Sequence, residues 1–225
     1  PNATTALSAS ICQGQVYTFG SQNLTTAGTY TQILTSSNGC DSTVTLTLSV
    51  TPNINNLSIQ ANGATTYCEG SSVTLTATAS GSIAGISYQW NLNGAAIAGA
   101  TSNNLVVTNT SGAYTVTATN SFGCSLTSPA TQVTVTSAPQ ASITASGNIN
   151  FCQGSSVTLH ANSGSGLTYQ WRNNGINITG ATNSTLVVTN GGSYTVAVSR
   201  NGCVNVSSSI VVTVNPSILN NTTAN

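Results

Sequence analysis

The chain carries very little charge: two basic residues, Arg172 and Arg200, two acidic residues, Asp41 and Glu69, and no lysine. Charged residues make up 2% of the sequence, against about a quarter in an ordinary soluble domain. Two arginines cannot neutralise a run of phosphates, so nucleic acid is not an expected partner. A basic membrane-binding face is excluded on the same grounds. Near-zero net charge gives no colloidal repulsion, so we expect association with copies of itself.

Other absences narrow the class of protein further. No apolar run approaches the roughly 18 residues of a membrane-spanning helix, so we expect no membrane insertion. The six cysteines form no Cys-x-x-Cys pair and no cluster with histidine, so the sequence indicates no metal site and no cofactor. Such cysteines are typical of disulfides, which predicts an oxidising location, extracellular or at the cell surface.

Catalytic chemistry has almost no candidates. His160 is the single histidine, and it lies in VTLHA, where Val157 and Leu159 take the inward positions and leave it facing solvent. Nucleophilic catalysis needs a base held by an orienting carboxylate, yet Asp41 and Glu69 lie in distant parts of the chain. These two carboxylates are also too few for a calcium site. We therefore expect no enzyme, and turn positions for both acidic residues.

What the sequence does contain is a strand pattern that occurs three times, beginning Gly-x-Tyr and ending Gly-Cys. The copies are AGTYTQILTSSNGC (27–40), SGAYTVTATNSFGC (111–124) and GGSYTVAVSRNGC (191–203). Apolar residues alternate with Thr or Ser, as in half-buried strands, and 38 Thr and 32 Ser supply the polar positions. Repetition at this spacing indicates small domains in a row.

Proline-containing linkers divide the chain into repeat one (1–51), repeat two (52–138) and repeat three (139–215). Residues 216–225 look like the opening strand of a following repeat and serve as a linker or a donated strand. Repeats two and three share YQW and LVVTN, and about seven short strands in each predict a β-sandwich. The aromatic residues of these strands are expected in the core, although the tryptophans also suggest a sugar-stacking platform. They are Trp90, Trp171, Tyr30, Tyr114 and Tyr194.

Repeat one is shorter because the Trp strand and its successor are missing: VYTFG is followed almost directly by NLTTAGTY. The Tyr30 strand then loses a neighbour and leaves an open sheet edge, which is a template for another chain. We expect residues 216–225 of another copy to enter this edge.

These residues resemble the immunoglobulin-like fold. VTLTA and VTLHA match its second strand, the tryptophans its third, and Tyr114 and Tyr194 stand at the tyrosine-corner position. The arrangement of Cys-x-Gly before this second strand and Gly-Cys after the Tyr strand is similar to Ig-like repeats of secreted Bacteroidota adhesins and filament proteins. The resemblance implies an all-β chain of tandem Ig-like sandwiches, the first one truncated, from a cell-surface structure.

The same topology bears on the cysteines. In an Ig-like sandwich the turn before the second strand and the Gly-Cys turn lie at opposite ends, roughly 20 Å apart for a strand of six residues, whereas disulfide Cα atoms lie about 4.4–6.8 Å apart. Consecutive domains bring such ends together. We therefore favour staggered pairs, with bonding inside each repeat as the alternative. The staggered pairs are Cys12–Cys124, Cys68–Cys203 and Cys152 with Cys40 of the next copy; the alternative pairs are Cys12–Cys40, Cys68–Cys124 and Cys152–Cys203.

Glycosylation is a further expectation. Nine Asn-x-Ser/Thr sequons occur, about the number that 27 Asn and this much Ser and Thr produce by chance, so the count itself is no evidence. Asp41-Ser42-Thr43 resembles the Bacteroidota O-glycosylation triplet. The candidate sites are Asn2, Asn23, Asn56, Asn109, Asn177, Asn183, Asn205, Asn220, Asn221 and Ser42.

Two hypotheses for function follow. The first is a structural subunit or repeat segment of an extracellular filament or adhesin, assembling head to tail with copies of itself through strand pairing and intersubunit disulfides. The second is a carbohydrate-binding or adhesive module that acts as a monomer within a longer secreted protein. Surface glycans would then be the partner, contacted by loop aromatics such as Phe122.

Overall fold

The computed structural model describes residues 3–35, 41–82 and 84–217, and every helix or strand assigned in these ranges is a β-strand. The all-β fold class is confirmed, as the period-two alternation of apolar residues with Thr and Ser requires.

The chain divides into two compact units that do not follow the sequence repeats. Unit 1 comprises Pro1–Thr65 and Ser72–Thr134, and unit 2 comprises Thr66–Ser71 and Val135–Asn225. Unit 1 thus holds repeat one and most of repeat two. Unit 2 holds repeat three and two short segments of repeat two, which are Thr66–Ser71, containing Cys68, and residues 135–138. The boundaries near residues 51, 138 and 215 stay predictions from the sequence.

Repeat one is a three-stranded sheet with a small hairpin on one face. Its strands are β1 (Ala3–Cys12), β2 (Tyr17–Phe19), β3 (Gln22–Leu24), β4 (Gly28–Leu34) and β5 (Ser42–Thr51). The sheet order is β1-β5-β4, with β1 parallel and β4 antiparallel to β5. Among the described residues, β2 and β3 pair only with each other, and no strand lies between β3 and β4. The Trp strand and its successor are absent from this part of the structure.

The core of repeat one follows from the alternation in β5. Leu46 and Leu48 are 0% and 2% exposed, whereas Thr47 between them faces solvent. The hairpin contributes Phe19 and Leu24 to the same cluster. The hairpin therefore supplies the second layer that buries this half of the sheet.

Repeat two has nine strands in two layers. They are β6 (Ile54–Asn62), β7 (Thr66–Cys68), β8 (Val73–Gly81), β9 (Ser87–Leu92), β10 (Ala95–Ala96), β11 (Asn104–Val107), β12 (Gly112–Thr119), β13 (Ser125–Thr127) and β14 (Thr131–Thr136). One sheet has the order β11-β8-β6, and the other contains β10-β9-β12-β14 with β13 beside β12. Trp90, 0% exposed, donates its Nε1–H to the Ser102 carbonyl at 2.8 Å. The buried indole is thereby both packed and hydrogen-bonded.

Repeat three repeats this plan. Its strands are β15 (Ile143–Ala145), β16 (Asn150–Cys152), β17 (Val157–Ala161), β18 (Thr168–Asn173), β19 (Ile176–Asn177), β20 (Thr185–Val188), β21 (Gly192–Arg200), β22 (Cys203–Val206) and β23 (Ile210–Asn215). The sheets are β15-β17-β20 and β16-β23-β21-β18-β19, with β22 beside β21. Trp171 is 0% exposed and donates to the Asn183 carbonyl at 2.9 Å, as Trp90 does to Ser102.

A tyrosine corner fixes the strand before each Gly-Cys turn. The hydroxyls of Tyr30, Tyr114 and Tyr194 each donate, at 2.9 Å, to the carbonyl four residues earlier. Tyr114 and Tyr194 are buried, whereas Tyr30 is half-buried against the core of repeat one. Burial raises the pKa of the Tyr194 phenol because it penalises the charged form. The sequence resemblance predicts the tyrosine corner in repeats two and three. The structure shows the same corner in repeat one as well.

Candidate functional site: the cysteine junctions

Each repeat carries the same turn after a strand that ends in cysteine. β1, β7 and β16 end at Cys12, Cys68 and Cys152. The residue directly after each cysteine donates its N–H to the carbonyl of the last residue of the closing strand, which is β5, β14 or β23. The residue three positions after the cysteine donates its N–H to the cysteine carbonyl. The first set of bonds is Gln13 to Thr51 (2.9 Å), Glu69 to Thr136 (2.9 Å) and Gln153 to Asn215 (2.8 Å); the second is Gln15 to Cys12 (2.9 Å), Ser71 to Cys68 (3.1 Å) and Ser155 to Cys152 (3.1 Å).

The glycine of each Cys-x-Gly turn is required by its backbone. Gly14, Gly70 and Gly154 have φ of 87°, 89° and 95°, in the left-handed region that side chains other than glycine rarely adopt. The three turns are thus one local structure built three times, just before β2, β8 and β17.

Two of the three turns are bonded to a Gly-Cys cysteine of the next sequence repeat. Cys12 is bonded to Cys124 within unit 1, with Cα atoms 5.7 Å apart, and Cys68 is bonded to Cys203 within unit 2, with Cα atoms 5.5 Å apart. Both separations are ordinary for a disulfide. They are the staggered pairs that the Ig-like topology favours, and Cys68 does not bond to Cys124.

At each disulfide, the threonine that ends the closing strand contacts the sulfur of the Gly-Cys cysteine. The Thr51 hydroxyl lies 3.2 Å from Cys124 Sγ and donates to the Ile11 carbonyl at 3.1 Å. The Thr136 hydroxyl lies 3.3 Å from Cys203 Sγ and donates to the Tyr67 carbonyl at 3.2 Å. Each hydroxyl therefore ties the incoming cysteine to the strand that precedes the Cys-x-Gly turn.

The loop that delivers Cys124 is organised by Asn120, which is buried. Its side-chain oxygen accepts from the N–H groups of Phe122 and Cys124, both at 3.0 Å, and its amide nitrogen donates to the Pro52 carbonyl at 2.9 Å. One side chain thus shapes the loop and joins it to the linker after repeat one. The corresponding loop of repeat three is a tighter hairpin, in which Asn201 and Gly202 have φ of 52° and 83°, the backbone that an Asn-Gly turn requires.

Cys152 begins the third turn, which has the same backbone bonds, yet it is exposed and unbonded in the described structure. Asn215 stands where the bonded turns have threonine, and its side chain donates to Asn150. A groove of about 260 Å³ beside it is lined by Gln153, Thr189–Gly191 and Val214–Pro216. Cys40, the expected partner from a second copy, lies outside the described residues.

The edge expected beside Tyr30 is open. β4 stands at the end of its sheet and pairs with β5 alone among the described residues. Large apolar side chains are also exposed nearby: Ile33 and Leu34 of β4 are 66% and 50% exposed, and Leu7 of β1 is 44% exposed. Repeat one thus presents both free backbone groups and apolar surface.

The other candidate catalytic, metal-binding and sugar-binding residues do not come together in one site. His160 is partly exposed in β17 between Thr144 and Thr185 of the neighbouring strands. Within the described ranges, no group of three His, Cys, Asp or Glu side chains lies close enough to hold a metal ion. Trp90 and Trp171 are wholly buried and therefore unavailable for stacking on a sugar, whereas Phe122 is 52% exposed.

The candidate glycosylation sites that the structure describes are on the surface. Ser42 is half-buried at the start of β5, and the sequon asparagines Asn23, Asn56, Asn109, Asn177, Asn183 and Asn205 are all exposed. Asn2, Asn220 and Asn221 lie outside the described residues. Exposure makes these positions accessible for modification without indicating that it occurs.

Sequence reasoning missed Asn120, Thr51 and Thr136. All three act on residues far away in the chain, so only the position of each threonine at the end of its closing strand offered a signal. Nothing local marks Asn120 among the 27 asparagines.

The chain has the features of tandem immunoglobulin-like β-sandwiches. These features are two facing sheets over a buried tryptophan, a Tyr strand with its corner, and a closing strand parallel to the strand before the Cys-x-Gly turn. Residues 137–216 match the family model described as Ig-like domain, CHU_C associated. Domains of this class are typically extracellular adhesion or structural modules without catalytic activity.

Solved structures of Ig proteins are among those to which the chain is similar. The N-terminal eight Ig domains of Down Syndrome Cell Adhesion Molecule are 16% identical over 96% of this chain and 36% of that one, with a TM-score of 0.48. Titin domains I67–I69 are 12% identical over 96% of both chains, with a TM-score of 0.44. Murine CEACAM1b is 19% identical over 71% of this chain and all of that one, with a TM-score of 0.40.

No curated protein matches the sequence. Among the described residues, no helix is long and apolar enough to span a membrane.

Proposed function

We propose that this chain is a structural subunit or repeat segment of an extracellular bacterial surface filament or adhesin, assembling head to tail with copies of itself. The observation that carries the proposal is the third Cys-x-Gly turn. It has the backbone bonds of the two turns that hold disulfides, and its Cys152 is exposed and unbonded. The next Gly-Cys cysteine in the staggered series is Cys40 of a second copy.

The sequence around Cys40 supports this partner. Asn38-Gly39-Cys40 repeats Asn201-Gly202-Cys203, the turn whose cysteine is bonded in unit 2. A disulfide between Cys152 and Cys40 would extend the stagger from copy to copy. Such bonds persist in oxidising surroundings, which agrees with an extracellular or cell-surface location.

The nature of the surface supports the same reading. With 2% charged residues and no net charge, little electrostatic repulsion opposes contact between copies. The family match at residues 137–216 supports a Bacteroidota surface protein as the parent. Glycans on the exposed Asn sites and on the half-buried Ser42 would keep the assembled surface hydrated.

The test is a non-reducing gel and electron microscopy of the oxidised protein. We expect a ladder of covalent multimers, filaments with a three-repeat period, and a cross-linked peptide joining Cys40 to Cys152. Cys152→Ser should abolish the ladder. A matched control, Cys152→Ser with Ser155→Cys, moves the thiol within the same turn and should not restore it. Monomers of the unchanged protein, or multimers joined by Cys152 alone, would refute the proposal.

A monomeric adhesive module is the second candidate function, and the exposed Phe122 favours it. Its ring lies in the Gly-Cys loop of repeat two, where a sugar face has access. Glycan-array binding that Phe122→Ala removes, by a protein that stays monomeric, would support this function instead.

A further inference from the structure

Repeats two and three each begin with an opening strand that repeat one lacks in the described structure. β6 and β15 pair antiparallel with β8 and β17, the strands that follow the Cys-x-Gly turn. In repeat one, the strand in that place is β2, and within the part of the chain that the structure describes it pairs with β3 alone. β2 therefore gives repeat one a second open sheet edge, in addition to the open edge of β4.

The backbone of β2 faces this edge at Thr18. Thr18 follows Cys12 by as many residues as Thr158 follows Cys152. The Thr158 carbonyl accepts a hydrogen bond at 2.9 Å from Ser146, at the end of the opening strand of repeat three. Since successive backbone groups of a strand face opposite sides, Thr18 presents its N–H and carbonyl where an opening strand would pair.

The sheet face on which the hairpin packs has an uncovered part, at Leu7 and Leu34. Leu7 pairs with Leu46 and Leu34 with Ser42, so these side chains share the face on which the hairpin packs. Leu46 is 0% exposed beneath the hairpin, whereas Leu7 and Leu34 are 44% and 50% exposed beyond it. The hairpin ends near Gln32, whose side chain lies against Gly20. Among the described residues, no second layer covers this face at Leu7 and Leu34.

The opening strand of repeat two shows what fills such a face. It follows Pro52 and buries Ile54 and Leu57, which are 5% and 3% exposed. Residues 216–225, PSILNNTTAN, begin with a proline just after a closing strand and carry isoleucine at the same offset, in an uncharged polar sequence like PNINNLSIQAN. Ten extended residues span about 33 Å, enough for the uncovered face and β2.

We propose that residues 216–225 of one copy supply the opening strand of repeat one in the next copy, lying over Leu7 and Leu34 and pairing with β2 at Thr18. This inference rests on the proposed function and names the seat of the donated strand. In this inference the donated strand pairs with the β2 edge and not with the β4 edge, which the sequence suggests.

The experiment compares two neighbouring substitutions, Leu34→Asp on the uncovered face and Ile33→Asp on the opposite face of β4. Each is made with Cys152→Ser, so that only non-covalent assembly is measured, by sedimentation. We expect Leu34→Asp to raise the concentration needed for assembly at least tenfold and Ile33→Asp less than twofold. Because both side chains are already exposed, thermal melting should show both variants folded.

Proline substitutions decide between the two edges. Thr18→Pro removes an N–H of β2, and Thr31→Pro removes one that faces the open side of β4; we expect only Thr18→Pro to block assembly. The reverse result would place the donated strand at β4 and overturn the inference. Equal effects of Leu34→Asp and Ile33→Asp would overturn it while the Cys40–Cys152 ladder persists. Loss of that ladder in the unchanged protein would refute the proposed function, and the strand donation with it.

Discussion

Repeat one and repeat three share a Cys-x-Gly turn, a tyrosine corner and a closing strand, yet they differ in how fully their sheets are covered. In repeat three, two sheets enclose Trp171 and Leu159, both 0% exposed. In repeat one, a two-stranded hairpin covers only part of a ten-residue-long sheet. The comparison teaches that removing strands from a sandwich can leave local turns intact while exposing apolar surface and sheet edges.

The largest effect on stability should come from a substitution in the core of repeat three. Two sheets enclose that core, whereas the core of repeat one is only partly covered. Leu159→Ala should destabilise repeat three by about 3 kcal/mol, because it leaves a cavity in a closed core. Leu34→Ala in half-covered repeat one should change its stability by less than about 0.5 kcal/mol. Urea unfolding followed by Trp171 fluorescence checks the first value, and hydrogen exchange of β4 and β5 checks the second. Equal costs would contradict the difference in covering.

Disulfide removal should give the next largest effect. The double substitution Cys68→Ala and Cys203→Ala should lower the unfolding free energy of unit 2 by about 2–4 kcal/mol, because the unfolded chain loses a cross-link across 135 residues. Cys152→Ala is the matched control and should leave the monomer unchanged, since that thiol has no partner in the described structure. Comparable losses in both variants would show that the thiols matter for packing rather than for the bond.

The smallest effect concerns the tyrosine corners. Tyr194→Phe should cost about 1 kcal/mol near neutral pH through its lost hydrogen bond, and Tyr30→Phe should cost less because Tyr30 is half-exposed. The raised pKa of Tyr194 means that the folded state holds its proton more tightly than the unfolded state. Stability from this group is therefore complete below about pH 10 and is lost as pH rises through the raised value. As the pH rises above about 10, the unfolding free energy should fall less steeply in Tyr194→Phe than in the unchanged protein.

Much of this architecture was predictable because the signals are local. The alternation in VTLTA and VTLHA places Leu75 and Leu159 inside, both 0% exposed, and the shared YQW places both tryptophans in the core. Strand direction disfavoured bonds within a repeat, which would have to cross a sandwich from end to end, and the meeting of consecutive domain ends favoured the staggered pairs, with pairing inside each repeat left as the alternative.

What the sequence did not reveal depends on distant partners. The Asn120 amide donates to the carbonyl of Pro52, far away in the chain. The association of Thr66–Ser71 with unit 2 likewise reflects the bond from Cys68 to Cys203. The second open edge, at β2, became visible only when the opening strands of the other repeats were seen paired.

The overlap of the two disulfide loops has a mechanical consequence. Residues 68–124 lie within both the Cys12–Cys124 loop and the Cys68–Cys203 loop. Tension applied at the chain ends therefore reaches the Cys68–Cys203 bond by two routes, along residues 12–68 or across the Cys12–Cys124 bond and back along residues 68–124. Even a fully unravelled subunit would then extend far less than its contour length allows. Pulling single molecules with and without reductant would measure this limit, and equal extensions would show that the bonds carry no load.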